Sequence, residues 1–84
     1  MSSRDNLARN LRILRTARGL SQEALAHEAG IHRTYVSALE RREYSVSIDR
    51  LDSLAATLKV EPYILLLNEL PPSVCAAADN GRTS

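Results

Sequence analysis

The sequence predicts an all-α fold of five helices, and three observations carry that expectation. Apolar residues recur at three- and four-residue spacings along nearly the whole chain, and no stretch alternates with the two-residue period of a strand. Alanine and leucine dominate an apolar class of 44%, with three tyrosines and neither Phe nor Trp, so the core is aliphatic and suited to helices. Serines and glycines stand where such helices would begin and end. An 84-residue chain holds one domain of this kind, with no room for a nucleotide-binding sheet or a deep catalytic cleft.

In the first helix Leu7, Leu11 and Leu14 share one face, Ile13 and Ala17 widen the stripe, Arg9 and Arg12 lie on the solvated side, and Gly19 ends it. Ser21 is the N-cap of a second, short helix, with Glu23 near its positive end, Leu25, Ala26 and Ala29 inward, and Gly30 as its stop. Ile31 leads into a third helix from about Arg33 to Glu40, whose inward residues are Val36 and Leu39. A polar connector follows, and Ser47 caps a fourth helix with Ile48, Leu51, Leu54, Ala55 and Leu58 on its apolar face. Pro62 opens a fifth, running to Leu70, and Pro71-Pro72 stops it. Residues 1–70 form the domain; the small, polar residues 71–84 are expected to be a disordered tail.

The formal net charge of +1 argues for no particular partner, but its distribution is uneven. Residues 1–18 carry five arginines against Asp5 alone, and ten of the eleven basic residues are Arg, whose fork suits phosphates and base edges. Cys75 is single, so no internal disulfide is expected, and no 18-residue apolar run or signal-peptide pattern occurs; the reading is a cytoplasmic protein. His27 and His32 lack the companions of a tetrahedral metal site, and no nucleophile–base pair is placed by any motif, so neither metal, cofactor, small-molecule ligand nor catalysis is expected.

The informative stretch runs from Gln22 to Arg41. Counting Gln22 as the first position of a helix-turn-helix unit, Ala26 falls fifth and Gly30 ninth, with Leu25, Ala29, Ile31, Val36 and Leu39 at the fourth, eighth, tenth, fifteenth and eighteenth. A small fifth residue lets the second helix of the pair approach closely, the ninth turns left-handed at little cost as Gly, and the apolar positions bury the pair while leaving one face of the next helix free.

On these residues, and on the strings Ala17-Arg18-Gly19-Leu20-Ser21-Gln22-Glu23-Ala24-Leu25-Ala26 and Gly30-Ile31-His32-Arg33-Thr34-Tyr35-Val36-Ser37-Ala38-Leu39-Glu40-Arg41, the sequence resembles the lambda-repressor-like (Xre) helix-turn-helix family over roughly residues 5–70. The resemblance implies a five-helix transcriptional regulator that binds double-stranded DNA as a homodimer, on a palindromic operator that controls its own operon. Helices 2 and 3 would form the helix-turn-helix. The Arg33-Thr34-Tyr35-Val36-Ser37 run also resembles restriction–modification controller proteins. Carried over by position, Arg33, Thr34, Ser37 and Ala38 would read bases in the major groove. Gln22, His32, Tyr35, Arg41, Arg42, Tyr44 and Ser45 would hold phosphates, and Arg15 would pair with Glu40. Where the family often has Gly after Glu-Arg this chain has Arg42, and Ser45-Val46 stand in place of a usual Asn-Pro, so the path of the 41–46 loop is open.

Helix 5 is apolar nearly all round. With Leu65 and Leu66 in the core, Tyr63, Ile64, Leu67 and Leu70 are left in excess, and they are expected to form the dimer interface. A reading from a different class is an antitoxin that binds a toxin protein through the same apolar helix and the tail.

Overall fold

In a computed structural model that describes residues 2–74, four α-helices and one 3₁₀ helix follow one another: α1 (Ser3–Ala17), α2 (Gln22–Ala29), α3 (Arg33–Glu40), α4 (Ile48–Leu58) and the 3₁₀ helix Pro62–Leu66. Their starts follow from the capping chemistry. The side chains of Ser2, Ser21 and Ser47 accept from the backbone N–H groups of Asp5, Ala24 and Arg50, satisfying donors that each first turn leaves free. The α2–α3 turn depends on Gly30, whose φ of +74° lets the Ile31 N–H return to the Ala26 carbonyl at 2.9 Å.

The core is aliphatic. Leu11, Leu14, Leu25, Val36, Leu39, Leu54, Leu58 and Leu65 are fully buried, α2 packs on α3 and α4, and α1 packs on α3 and the 3₁₀ helix. Three expected core positions are exposed instead. Ile13 and Ala17 face solvent because Asn10 and Arg18, nearer the centre of the α1 stripe, occupy the inward arc. Ile48, in the first turn of α4, is 75% exposed.

The fifth element differs most from expectation. It is a single 3₁₀ stretch of five residues that ends at Leu66, and Leu67 is already extended (φ −67°, ψ 146°). Its carbonyls, which so short a helix cannot satisfy internally, are taken up by α1. Asn10 Nδ2 donates to the Leu65 and Leu67 carbonyls at 3.1 and 2.7 Å, and Asn6 Nδ2 donates to Leu66 O at 3.2 Å. Arg9 donates to Leu67 O at 3.1 Å and to Asn68 O, and its guanidinium also holds the Asn10 Oδ1. Arg9 therefore clamps the far end of the domain rather than forming a solvated face. Ile64 is only 6% exposed, so it belongs to the monomer core and not to a free interface, and Leu67 and Leu70 pack on that core half-buried. Of the four residues expected in excess, Tyr63 is the one left exposed.

Three residues of the expected tail, 72–74, are helical, and Arg18 joins them to α4 by donating from Nη1 to Val74 O and from Nε to Leu58 O, both at 2.9 Å. The second contact places a cation at the C-terminal end of α4, where the helix dipole favours one. Cys75 and the rest of the expected tail lie outside the described residues. Among those described, no helix is long and apolar enough to cross a membrane.

Candidate nucleic-acid interface

The helix-turn-helix pair is held from behind by one partly buried ion pair. Arg15 of α1 meets Glu40, the last residue of α3, with Nε–Oε2 at 2.7 Å and Nη2–Oε1 at 3.1 Å, and its third nitrogen donates to Leu20 O at 2.9 Å. Gln22, first residue of α2, donates from Nε2 to Glu40 Oε1 at 3.0 Å. The side chains of Arg15 and Glu40 are 15% and 6% exposed. The expected pairing is present, and it also recruits Gln22, whose amide side chain is committed to the protein. What Gln22 leaves for any outer contact is the N-terminal backbone of α2.

On the outer side of α3, Arg33 and Thr34 are exposed and Ser37 is half-buried. Ala38, expected beside them, is only 5% exposed. The reason lies in the turn that follows. Arg42 adopts φ +65°, the left-handed conformation that glycine supplies in the family's usual sequence, and the Glu43 N–H folds back onto Ala38 O at 2.9 Å. Residues 43–44 thus come to lie against Ala38, and together with His32, Thr34, Tyr35, Arg41 and Arg50 they line an open cleft of about 420 Å³ along α3.

The 41–46 loop, whose path the sequence left open, is tied down at several points. Arg42 Nε meets Asp5 Oδ1 at 3.0 Å, Arg4 donates to Ser45 Oγ at 3.0 Å, and the Tyr35 hydroxyl donates to Ser45 O at 3.3 Å. Tyr44 sits against Tyr35 with ring centroids 6.0 Å apart, and the Arg50 guanidinium lies over the Tyr35 ring, 4.8 Å from its centre. Arg42, expected at a phosphate, is thus engaged with α1. Arg41 is engaged as well: its Nε and Nη2 grip the two oxygens of Glu43, each at 3.0 Å, and Nη1 donates to Ser37 Oγ. The hydrogen bonds from Arg41, and then its charge, hold the Glu43 carboxyl below the usual carboxylate range, and the same contacts raise Arg41.

Sequence reasoning missed Arg4, Glu43 and Arg50. Arg50 had a signal: a cation in the first turn of a helix opposes the dipole, and the Tyr35 ring that compensates it lies outside the local pattern. Arg4 and Glu43 had none, because their roles depend on where the loop returns.

With this geometry in view, comparison with known proteins is decisive at the level of family. The family described as Helix-turn-helix matches over residues 11–65, from Leu11 of α1 into the 3₁₀ helix. The chain belongs to this helix-turn-helix family. Within it, the chain is 46% identical over 61 residues to a hypothetical transcription factor of Neisseria meningitidis serogroup B, covering 73% of this chain and 58% of that protein. It is 39% identical over 69 residues to the control protein C.SmaI of Serratia marcescens, 82% of each chain. Among solved structures, the helix-turn-helix chain is similar to the restriction–modification controller protein C.AhdI of Aeromonas hydrophila, with a TM-score of 0.71 and 44% identity over 74% of this chain and 94% of that one.

Proposed function

We propose that the protein is a sequence-specific DNA-binding transcriptional regulator of the restriction–modification controller kind, acting in the prokaryotic cytoplasm as a homodimer on a palindromic operator that controls its own expression. The observation that carries the reading is the α2–Gly30–α3 unit, braced by Arg15 and Glu40, which leaves Arg33 and Thr34 exposed beside a cleft that also holds Arg41 and Arg50. The names of similar proteins, a transcription factor and control proteins, support it. The chain spans 58% of the Neisseria relative and 82% of C.SmaI.

In this reading the N-terminal half of α3 enters the major groove. Arg33 reads guanine through O6 and N7, and Thr34 offers a hydroxyl to a base or a methyl to thymine. Ser37 reads at short range once Arg41 releases it. Ala38 drops out because it is covered. The α2 amides at Gln22, with His32, Tyr35, Arg41, Tyr44, Ser45 and the added Arg50, serve phosphates on either side and fix the register. Arg33→Ala is expected to weaken operator binding by about 1–3 kcal/mol and to relax specificity at one base per half-site. Fluorescence anisotropy on duplex from the chain's own upstream region, with a scrambled duplex and a salt titration alongside, measures this. Equal loss on both duplexes would remove Arg33 from the base readers.

The dimer face moves from the fifth element to the start of α4. Ile48 is 75% exposed at the rim of an apolar groove of about 290 Å³ that Leu7, Val46, Leu51 and Leu66 also line. A second copy seated there in twofold fashion buries what the monomer leaves uncovered, and an operator with half-sites about 34 Å apart would match two α3 helices. Ile48→Glu puts an acid at a helix start, where it costs no fold stability. Sedimentation equilibrium at tens of micromolar is expected to show a dimer for the parent and a folded monomer for the variant. A dimeric variant would exclude this face.

A further inference from the structure

The recognition surface contains a carboxylate where a DNA-facing cleft should be uniformly basic or neutral. Among the described residues lining the cleft along α3, Glu43 is the one acid, paired with Arg41 in a cleft that Arg50 and His32 also line. Its two oxygens fill the Arg41 fork at 3.0 Å each, in the paired geometry with which an arginine grips a phosphate. The arrangement is no chance meeting of two mobile side chains. The left-handed Arg42 and the Glu43 N–H bond to Ala38 O fix the backbone of Glu43 beside the end of α3. Nor does the fold need it, because both partners are more than half exposed, and exposed pairs contribute little to stability. The remaining Arg41 nitrogen holds the Ser37 hydroxyl, so the same cluster engages a candidate base-reading group.

We propose that Glu43 is an internal stand-in for a DNA phosphate, which occupies the Arg41 fork in the free protein and yields it only when a duplex is docked closely enough to offer a phosphate in its place. This rests on the DNA-binding reading above and adds a residue that tunes the affinity of that surface for DNA. On random DNA, where docking is loose and phosphates stay hydrated, the latch stays shut and Arg41 contributes little. On the operator, where Arg33 and Thr34 fix the approach, the exchange of carboxylate for phosphate goes to completion and Ser37 is released towards the groove. Glu43 thus lowers operator affinity by the full cost of opening the latch, and random-DNA affinity by no more than that.

The test is anisotropy with two probes, the duplex from the chain's own upstream region and a random duplex of equal length. Wild type, Glu43→Gln, Arg41→Gln and the double variant are compared across a salt series. Glu43→Gln is expected to bind the upstream duplex about two- to five-fold tighter, with an equal or smaller gain on random DNA. Its salt dependence on random DNA should steepen by about 0.9 in log–log slope, one further phosphate contact. In the Arg41→Gln background the gain should vanish. A gain of equal size in that background would show only the general repulsion of an acid by DNA and overturn the latch, as would a Glu43→Gln protein that binds like the parent. If the parent binds neither duplex, the DNA reading fails and the latch with it; if the parent binds and Glu43→Gln is unchanged, the latch alone fails.

Discussion

Arg15→Ala is expected to be the most destabilising single substitution on the recognition unit, costing about 3–5 kcal/mol. The Glu40 side chain it abandons is 6% exposed, so its carboxylate would be left in the protein without its cation, and Leu20 O would lose a donor at the same time. In a domain of this size each kcal/mol moves Tm by about 4–8 °C, so thermal denaturation followed by circular dichroism reads the effect directly. The pair's net worth is a separate matter from the cost of breaking it. Replacing both partners together, Arg15→Met with Glu40→Leu, removes the charge and the need for its partner, and it is expected to recover most of the loss. A single variant within about 1 kcal/mol of the parent would mean that Glu40 finds water or another donor, and that the brace behind α3 is not what fixes it.

Asn10→Ala is expected to cost about 2–4 kcal/mol by a different route. Asn10 is fully buried, and its amide is the shared partner of the Leu65 and Leu67 carbonyls, at and just past the end of the 3₁₀ segment, and of the Arg9 guanidinium. Removing it orphans buried acceptors, each worth about 1–3 kcal/mol of desolvation. Asn10→Asp keeps the shape but turns acceptors towards acceptors and buries a charge, so it should be no better than Ala. Hydrogen exchange adds a local readout, since amides around Leu66 and Leu67 should lose protection more than those of α2 and α3. Uniform loss across the chain would point to cavity formation in the core and away from the carbonyl clamp.

What could be read in the chain beforehand was whatever a short stretch specifies by itself. Ser21, Gly30 and the apolar positions between Leu25 and Leu39 each answer to their near neighbours, and α2 and α3 run from Gln22 to Ala29 and from Arg33 to Glu40 as their spacing implies. The Arg15–Glu40 pair, 25 residues apart, was available only through resemblance to a family. The misreadings have two causes, distant polar groups that override local pattern and a turn that no local residue marks. Apolar residues all round the segment after Pro62 suggested a long helix with spare surface. With Ile64 and Leu65 in the core, Asn6, Arg9 and Asn10 capture the following carbonyls and end the helix. Ala38 sits four residues after the exposed Thr34 and should share its face, yet a left-handed Arg42 turns the chain back over it. Arg9, counted as solvated, and Arg18, given no role, are committed to backbone carbonyls 58 and 40 residues away.

The bonds between α1 and the 3₁₀ segment have a consequence for how the chain is made. Asn6, Arg9 and Asn10 emerge from the ribosome early, but the carbonyls that satisfy them follow 55 to 60 residues later. A nascent chain that has reached only α3 or α4 therefore carries a first helix whose inward face holds unanswered amides next to bare leucines. Native structure must wait for residue 67 to clear the exit tunnel, and the domain then closes in one cooperative step around its own beginning.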